Sequence, residues 1–499
     1  MRQDPSQGER SVALSTGPVA GAGAGPADTT VALPGLGGVG AGLRLPRARL
    51  VLRPIAGRLA LATLLLASLL IVLWSTSGPT ALVPHSSTSF PRWLSGPLHH
   101  IFGRLPANSL GVSIGFSAVI VVMAAAYAVA LASVRMLSMR TIALCVVALN
   151  AVLLLGPPLQ LTDVFNYVGY ARLGGLHHMN PYTHVIADAV HDPVYRFTSW
   201  HHLHSPYGPA FTAASYPLAW LPLPVAYWIV KIVTVLASLG FVALVWRIAT
   251  QLGRDPRFAV VLVALNPLTL IYAVGGFHND FFMLIPSLAA VSLLLARRDR
   301  SAGAVLMVAV AVKFTAFLLL PFLLLGARSR QRCVRVVTGA ALAAVPLIAG
   351  SVALFGLSLP NLSDQSTLLT NFSLPNTIGN LIGLGGGAPG LLRVANVVLV
   401  LAVALLLHRR RDWLTSAGWA TLALIASLAW LMPWYITWVL PLAAFGTSVR
   451  LRRATAVLAA FLILTFLPVT GIILGKLHFN PMGGSAGSAS INRQHQLER

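Results

Sequence analysis

Long apolar runs separated by short polar breaks constrain this chain more than any other feature. Residues 59–74, 112–133, 142–157, 225–246, 334–355 and 394–407 carry almost no charge. Each is close to the roughly 20 residues a helix needs to cross a bilayer. Only 9% of the 499 residues are charged, against about 25% in a soluble domain. The chain therefore reads as an all-α polytopic integral membrane protein, with roughly ten to thirteen membrane segments by hydropathy.

Charge fixes the expected orientation. The formal net charge is +23, which in a soluble protein would point to nucleic acid. Here the arginines recur between apolar runs and mark cytoplasmic loops, so no nucleic-acid partner is expected. The series runs through Arg44, Arg47, Arg49, Arg53 and Arg58, then Arg135 and Arg140, Arg247, Arg254 and Arg257, and Arg297, Arg298 and Arg300. It continues through Arg328, Arg330, Arg332 and Arg335, Arg409 to Arg411, and Arg450, Arg452 and Arg453. All fall on one side only if residues 301–325 form a hairpin that enters and leaves at the cytoplasmic face. Its arms, 302–312 and 314–325, are each too short to span. Lys231, near a membrane boundary, is expected to snorkel.

Three regions follow. Residues 1–48, rich in Gly, Ala and Pro, are predicted to be a disordered cytoplasmic tail. Residues 49–476 form the membrane domain, with a large outer loop at 158–224, and 477–499 form a flexible C-terminal tail. Short interfacial or re-entrant helices are expected in the outer loops. The two cysteines, Cys145 in a helix and Cys333 in a basic loop, form no disulfide framework, and no Cys/His spacing resembles a zinc site. No internal repeat is evident.

In this topology Asp163, Asp188, Asp192, Asp280 and Asp364 face outward. A carboxylate at the end of an apolar span is a functional-site hypothesis by default. Asp163 follows Gly156-Pro157-Pro158, which ends the third helix; it either acts as a base or caps a short helix over 164–173. Arg172 on that helix could bind phosphate, pair with Asp163 or snorkel at the interface. Tyr167 and Tyr170 either meet a sugar or pack in the interface. His278-Asn279-Asp280, in a Gly-rich break, offers sugar or phosphate ligands and a rival base, or else caps the helix beginning at Phe281. Lys313, at the hairpin tip, needs an anion or a cavity; it either meets the phosphate of a lipid-linked donor or snorkels to the outer headgroups. Trp434 and Tyr435 form a helix break whose aromatic faces suit sugars, isoprenoids or an ordinary interfacial belt. The histidines His201, His202 and His204 lack a matched carboxylate pair.

The motifs Asp163-Val-Phe-Asn-Tyr167, Asn180-Pro-Tyr182, Ser205-Pro-Tyr-Gly-Pro209, Asn266-Pro267, His278-Asn-Asp280, Val312-Lys313-Phe-Thr315 and Trp434-Tyr435 occur in this order. In these residues the chain resembles the GT-C superfamily of membrane glycosyltransferases. Within it the resemblance is to the actinobacterial polyprenol-phosphate-mannose-dependent α-(1→6)-mannopyranosyltransferases of lipoglycan assembly. The resemblance implies a GT-C-like bundle of roughly 11–13 transmembrane helices. It implies a plasma-membrane enzyme with a cytoplasmic N-terminus and an outward-facing active site. The reaction would be inverting transfer of mannose from a polyprenyl-monophosphate donor to a lipid-linked glycan acceptor, without a metal or other cofactor. Asp163 would be the general base. Tyr167, Arg172, Asn180, Tyr182, Tyr207, His278, Asn279, Asp280, Lys313, Trp434 and Tyr435 would bind substrate. A transporter or flippase of a lipid-linked saccharide, a glycolipid-binding scaffold, or a transferase of another polyprenyl-phosphate sugar are the competing readings.

Overall fold

The structure, a computed structural model, describes residues 54–83, 90–99, 101, 103, 110–360, 368–409 and 412–498. The expected N-terminal tail and Asp364 lie outside the described residues. Within them the chain is helical, with no strand. Five helices are long and apolar enough to cross a membrane: α1 (residues 54–75, of which Ile55–Ser75 qualify), α3 (Leu110–Ala132, after the short α2, Arg92–Ser95), α7 (Leu223–Gln251), α12 (Arg330–Phe355) and α14 (Pro389–His408). Two bent pairs could each make one further span: α8 (Pro256–Ala264) with a π-helical turn at Leu268–Val274, and α17 (Val449–Thr465) with α18 (Pro468–Lys476). Four shorter apolar helical segments lie between them: α4 (Met139–Leu154), α9 (Asp280–Leu295), Phe314–Ala327, which contains α11 (Leu319–Ala327), and Pro433–Phe445, which ends in α16 (Ile436–Phe445). The expected 11–13 segments are reached, at eleven, only when bent pairs and short helices are counted. Hydropathy registers apolar stretches whether or not they are long enough to span.

The hairpin is present. α10 (Asp299–Val312) runs from an end marked by the Asp299–Arg332 ion pair, 2.6 Å. At Lys313 the backbone becomes extended (φ −154, ψ 119), and a 3₁₀ turn at Phe314–Leu318 leads into α11 and back to Arg328. α12 starts from the same end and packs closely along α10: a Cβ on Gly303 would lie 1.9 Å from the Val336 carbonyl, and one on Gly339 at 1.9 Å from that of Arg300. With 14 residues, α10 rises about 21 Å, short of a bilayer's roughly 30 Å core. Its tip is met by the loop between α4 and α7, where the Gly208 N–H donates to the Val312 carbonyl, 3.1 Å. A Cβ on Gly208 would sit 2.2 Å from the Ala311 carbonyl, so only glycine allows this approach.

That loop folds into short helices, chiefly α5 (Asp163–Gly175) and α6 (Pro209–Ser215), with 3₁₀ turns at Ile186–Ala189, Tyr195–Phe197 and Tyr216–Trp220. The C-terminal residues are not a loose tail: after α13 (Leu374–Leu381) and α15 (Trp413–Ser427), the chain ends in α19 (Ser485–Glu498). Leu497 is buried with Trp200, Leu203 and Leu368, and its carbonyl accepts the His202 N–H, 2.9 Å. Apolar burial against the loop makes this segment ordered. Cys333 lies in α12 rather than a loop, and both cysteines are free.

Candidate active site

Three chain breaks meet around a cavity of about 380 Å³. The first, after α4, delivers Asp163 as the opening residue of α5, with Thr162 at the cap position. Asp163 therefore does not act as the helix cap. The second follows the π-helical turn and delivers His278, Asn279 and Asp280. Asn279 takes the cap position of α9 but makes no side-chain cap bond, so the trio is not a local capping network. The third is Lys313 at the hairpin tip. Pro433–Tyr435, between α15 and α16, closes the wall with Trp434 and Tyr435.

The polar groups form two linked pairs. His278 Nδ1 lies 3.2 Å from Asp163 Oδ2, and the His278 ring stacks on Trp434, with centroids 3.5 Å apart. Lys313 Nζ donates to Asp280 Oδ1 at 2.9 Å, and Trp438 Nε1 donates to the same oxygen at 2.6 Å. The ammonium also lies 5.0 and 5.2 Å from the Trp438 and Tyr435 ring centroids, within cation–π range. The backbone N–H of Asn279 donates to Tyr167 Oη, 3.1 Å. The Asp163 side chain is 15% exposed and that of Asp280 only 2%. Asp163 is the more accessible of the two carboxylates; Asp280 is committed to Lys313 and Trp438.

Asp163, Tyr207, Asn279, Asp280, Lys313, Trp434 and Tyr435 all line the cavity. Tyr167 and His278 stand directly behind it. Asn180 and Tyr182 instead build the loop. Asn180 Nδ2 donates to the Phe355 carbonyl at 2.7 Å, its Oδ1 accepts the Tyr182 N–H, and Tyr182 Oη donates to the Tyr207 carbonyl at 2.9 Å. Arg172 is neither at the cavity nor paired with Asp163. Its Nε donates to both oxygens of Asp192, 2.8 and 2.9 Å, and its Nη1 to the Ala219 carbonyl, 3.0 Å. Arg172 is the tenth residue of α5 and Asp163 its first, so the two sit at opposite ends of one short helix. Burial pushes the Asp192 carboxyl up, but hydrogen bonds from the Val194 N–H, His177 and Arg172 outweigh it and hold the group below its ordinary value.

Sequence reading missed Trp200, Trp430 and Asn396 on the cavity wall; Thr315, from the Lys313 motif, and Trp438, from the aromatic helix break of Trp434 and Tyr435, also line it. Asn396 carried a signal: it is a lone amide in the apolar run of α14, where polar side chains seek a cavity or partner. Two buried polar atoms of cavity-lining residues, Asn279 Nδ2 and Thr315 Oγ1, lack a hydrogen-bond partner among the described residues, which leaves them able to bond a ligand. His201 bonds the Glu498 and Tyr195 carbonyls, and among the described residues no group of three His, Cys, Asp or Glu is placed to hold a metal.

The fold is thus a helical membrane bundle whose cavity is lined by two carboxylates, one lysine and several aromatic faces. Comparison with known proteins narrows this. The family described as "Alpha-(1->6)-mannopyranosyltransferase, N-terminal domain" matches residues 62–328, and the "MptB C-terminal domain" matches residues 377–487. The chain belongs to this alpha-(1->6)-mannopyranosyltransferase family. It is 30% identical over 359 residues to alpha-(1->6)-mannopyranosyltransferase A of Mycobacterium tuberculosis, a match covering 62% of this chain and 65% of the relative. It is 38% identical over 93 residues to the protein of the same name from Corynebacterium glutamicum, covering 18% of this chain and 19% of that one. The match thus spans less than two thirds of either relative.

Proposed function

We propose that this chain is an inverting membrane mannosyltransferase. It takes mannose from a polyprenyl-monophosphate donor and passes it to a lipid-linked mannan or lipoglycan acceptor at the outer face of the plasma membrane, forming an α-(1→6) linkage. The observation that carries the reading is the placement of Asp163, held by His278, and Lys313, held by Asp280, on one cavity.

The acceptor 6-hydroxyl attacks carbon 1 of the β-linked mannosyl phosphate from the face opposite the phosphate. The new C1–O bond forms, the C1–O bond to phosphate breaks, and the phosphate leaves with the electron pair. Asp163 accepts the hydroxyl proton as general base. His278 fixes that carboxylate, and Lys313 offsets the charge that develops on the phosphate. A monophosphate leaving group beside a lysine calls for no metal. The outer-face assignment is supported by the arginine pattern, since the hairpin places Lys313 at the end opposite Arg297, Arg328 and Arg332.

The test is transfer in membranes of a host lacking the activity, supplied with polyprenyl-phosphate mannose and an α-mannoside acceptor. Wild type is expected to transfer. Asp163→Asn is expected to lose roughly 10²–10⁴-fold. Asp280→Asn keeps an acceptor oxygen for Lys313 and should retain partial activity. A dead Asp280→Asn beside an active Asp163→Asn would exchange the two roles. A wild type inactive with every polyprenyl-phosphate sugar tested would sink the reading.

A further inference from the structure

Lys231 is expected to snorkel, yet its residue is 0% exposed. It lies in the first half of α7, and no carboxylate among the described residues pairs with it. Its Nζ donates to the Gly156 carbonyl at 2.7 Å. It faces three aromatic rings: Trp228 at 3.8 Å from the centroid, Tyr227 at 4.9 Å and Phe277 at 5.0 Å. Two of these walls are themselves pinned, Trp228 Nε1 donating to the Trp93 carbonyl and Tyr227 Oη to that of Leu94. A carbonyl and three π faces stabilise an ammonium, but a buried amine is costly where an apolar side chain would fit.

What the amine touches gives the cost a purpose. Gly156 opens the Gly-Pro-Pro exit that leads to Asp163. Phe277 immediately precedes His278. These two segments run side by side, the Leu159 N–H donating to the Gly275 carbonyl at 2.9 Å. Each contains a non-glycine residue in the left-handed region: Gln160 at φ 75 and Phe277 at φ 53. For a fully buried phenylalanine that conformation is uncommon and persists only where its surroundings impose it.

We propose that Lys231 is a positioning residue for the Asp163–His278 pair: its amine clamps the Gly156 carbonyl and the Phe277 ring, and so sets the distance between the two segments that carry them. It touches neither substrate nor cavity. The consequence for turnover rests on the proposed transfer reaction; the geometric claim does not, and the experiment separates them.

Lys231→Met, Lys231→Gln and Lys231→Arg are purified with ¹⁵N-histidine, and the His278 ring signal is assigned by its loss in His278→Asn. Lys231→Met is expected to move that signal in the sense produced by Asp163→Asn, and to lower kcat roughly 10–100-fold, the effect of a displacement of about 1 Å. Donor KM should change little, and Lys231→Arg, which keeps an N–H donor at that position, should recover much of both. If Lys231→Met does not fold, Lys231→Gln, which keeps one donor, and Phe277→Leu, which removes one ring, give the same comparison at smaller amplitude. An unmoved ring signal in any folded variant lacking the amine or the ring overturns the assignment. A moved signal in a wild type background that transfers no mannose would support it and reject the transferase reading instead.

Discussion

Replacing Arg172 by Met tests whether that side chain serves substrate or structure. The sequence left it as a phosphate ligand, a partner of Asp163 or an interfacial arginine, but the fold commits its guanidinium to Asp192 and a backbone carbonyl. Asp192 is buried and Arg172 largely covered, with side-chain exposures of 3% and 12%. Removing one member of a buried pair costs about 3–5 kcal/mol, because the other charge is left uncompensated. His177 stays 2.7 Å from Asp192 and the Val194 N–H 3.0 Å, so the low end, about 3 kcal/mol, is expected. Thermal unfolding in detergent should show a Tm lower by several degrees, with the donor KM unchanged in folded enzyme. The difference depends on pH. The Asp192 carboxyl titrates below its unfolded value in the native protein, so its stabilisation is complete above about pH 4 and is lost as pH falls through the native pKa. The gap between wild type and Arg172→Met should therefore close at acid pH. A Tm equal to wild type together with a KM raised roughly tenfold, the loss of about 1.4 kcal/mol of binding, would refute the structural assignment.

Three further outcomes are expected. Lys313→Met should lower kcat by roughly 10²–10³-fold, the usual loss on removing one group that stabilises transition-state charge, with Lys313→Arg partly active; steady-state kinetics on the donor checks this. Gly208→Ala forces a Cβ into the Ala311 carbonyl and should lower both Tm and transfer by displacing the hairpin tip, whereas Gly350→Ala in α12, with open space around it, should spare transfer. Chelation of divalent cations with EDTA should leave the transfer rate unchanged; a loss restored by one added metal would contradict the metal-free mechanism.

The apolar runs and the spacing of arginines determined the helical membrane class, the hairpin and its short arms, because span length and charge placement are local properties of the chain. The residue types of the site were also legible: a carboxylate, a lysine or an amide inside apolar sequence announces itself by its solvation cost. The partners were not legible. Asp163 meets His278 across 115 positions, and Asp280 meets Trp438 across 158. Such pairings depend on which helix breaks come together, and helical periodicity within one segment carries no information about that. The same limit explains Arg172, which the loop turns toward Asp192, and Lys231, whose distance from a predicted boundary said nothing of the aromatic cage built by residues before and after it. Sequence set the cost of placing each polar group in this membrane; tertiary structure decided what offsets it.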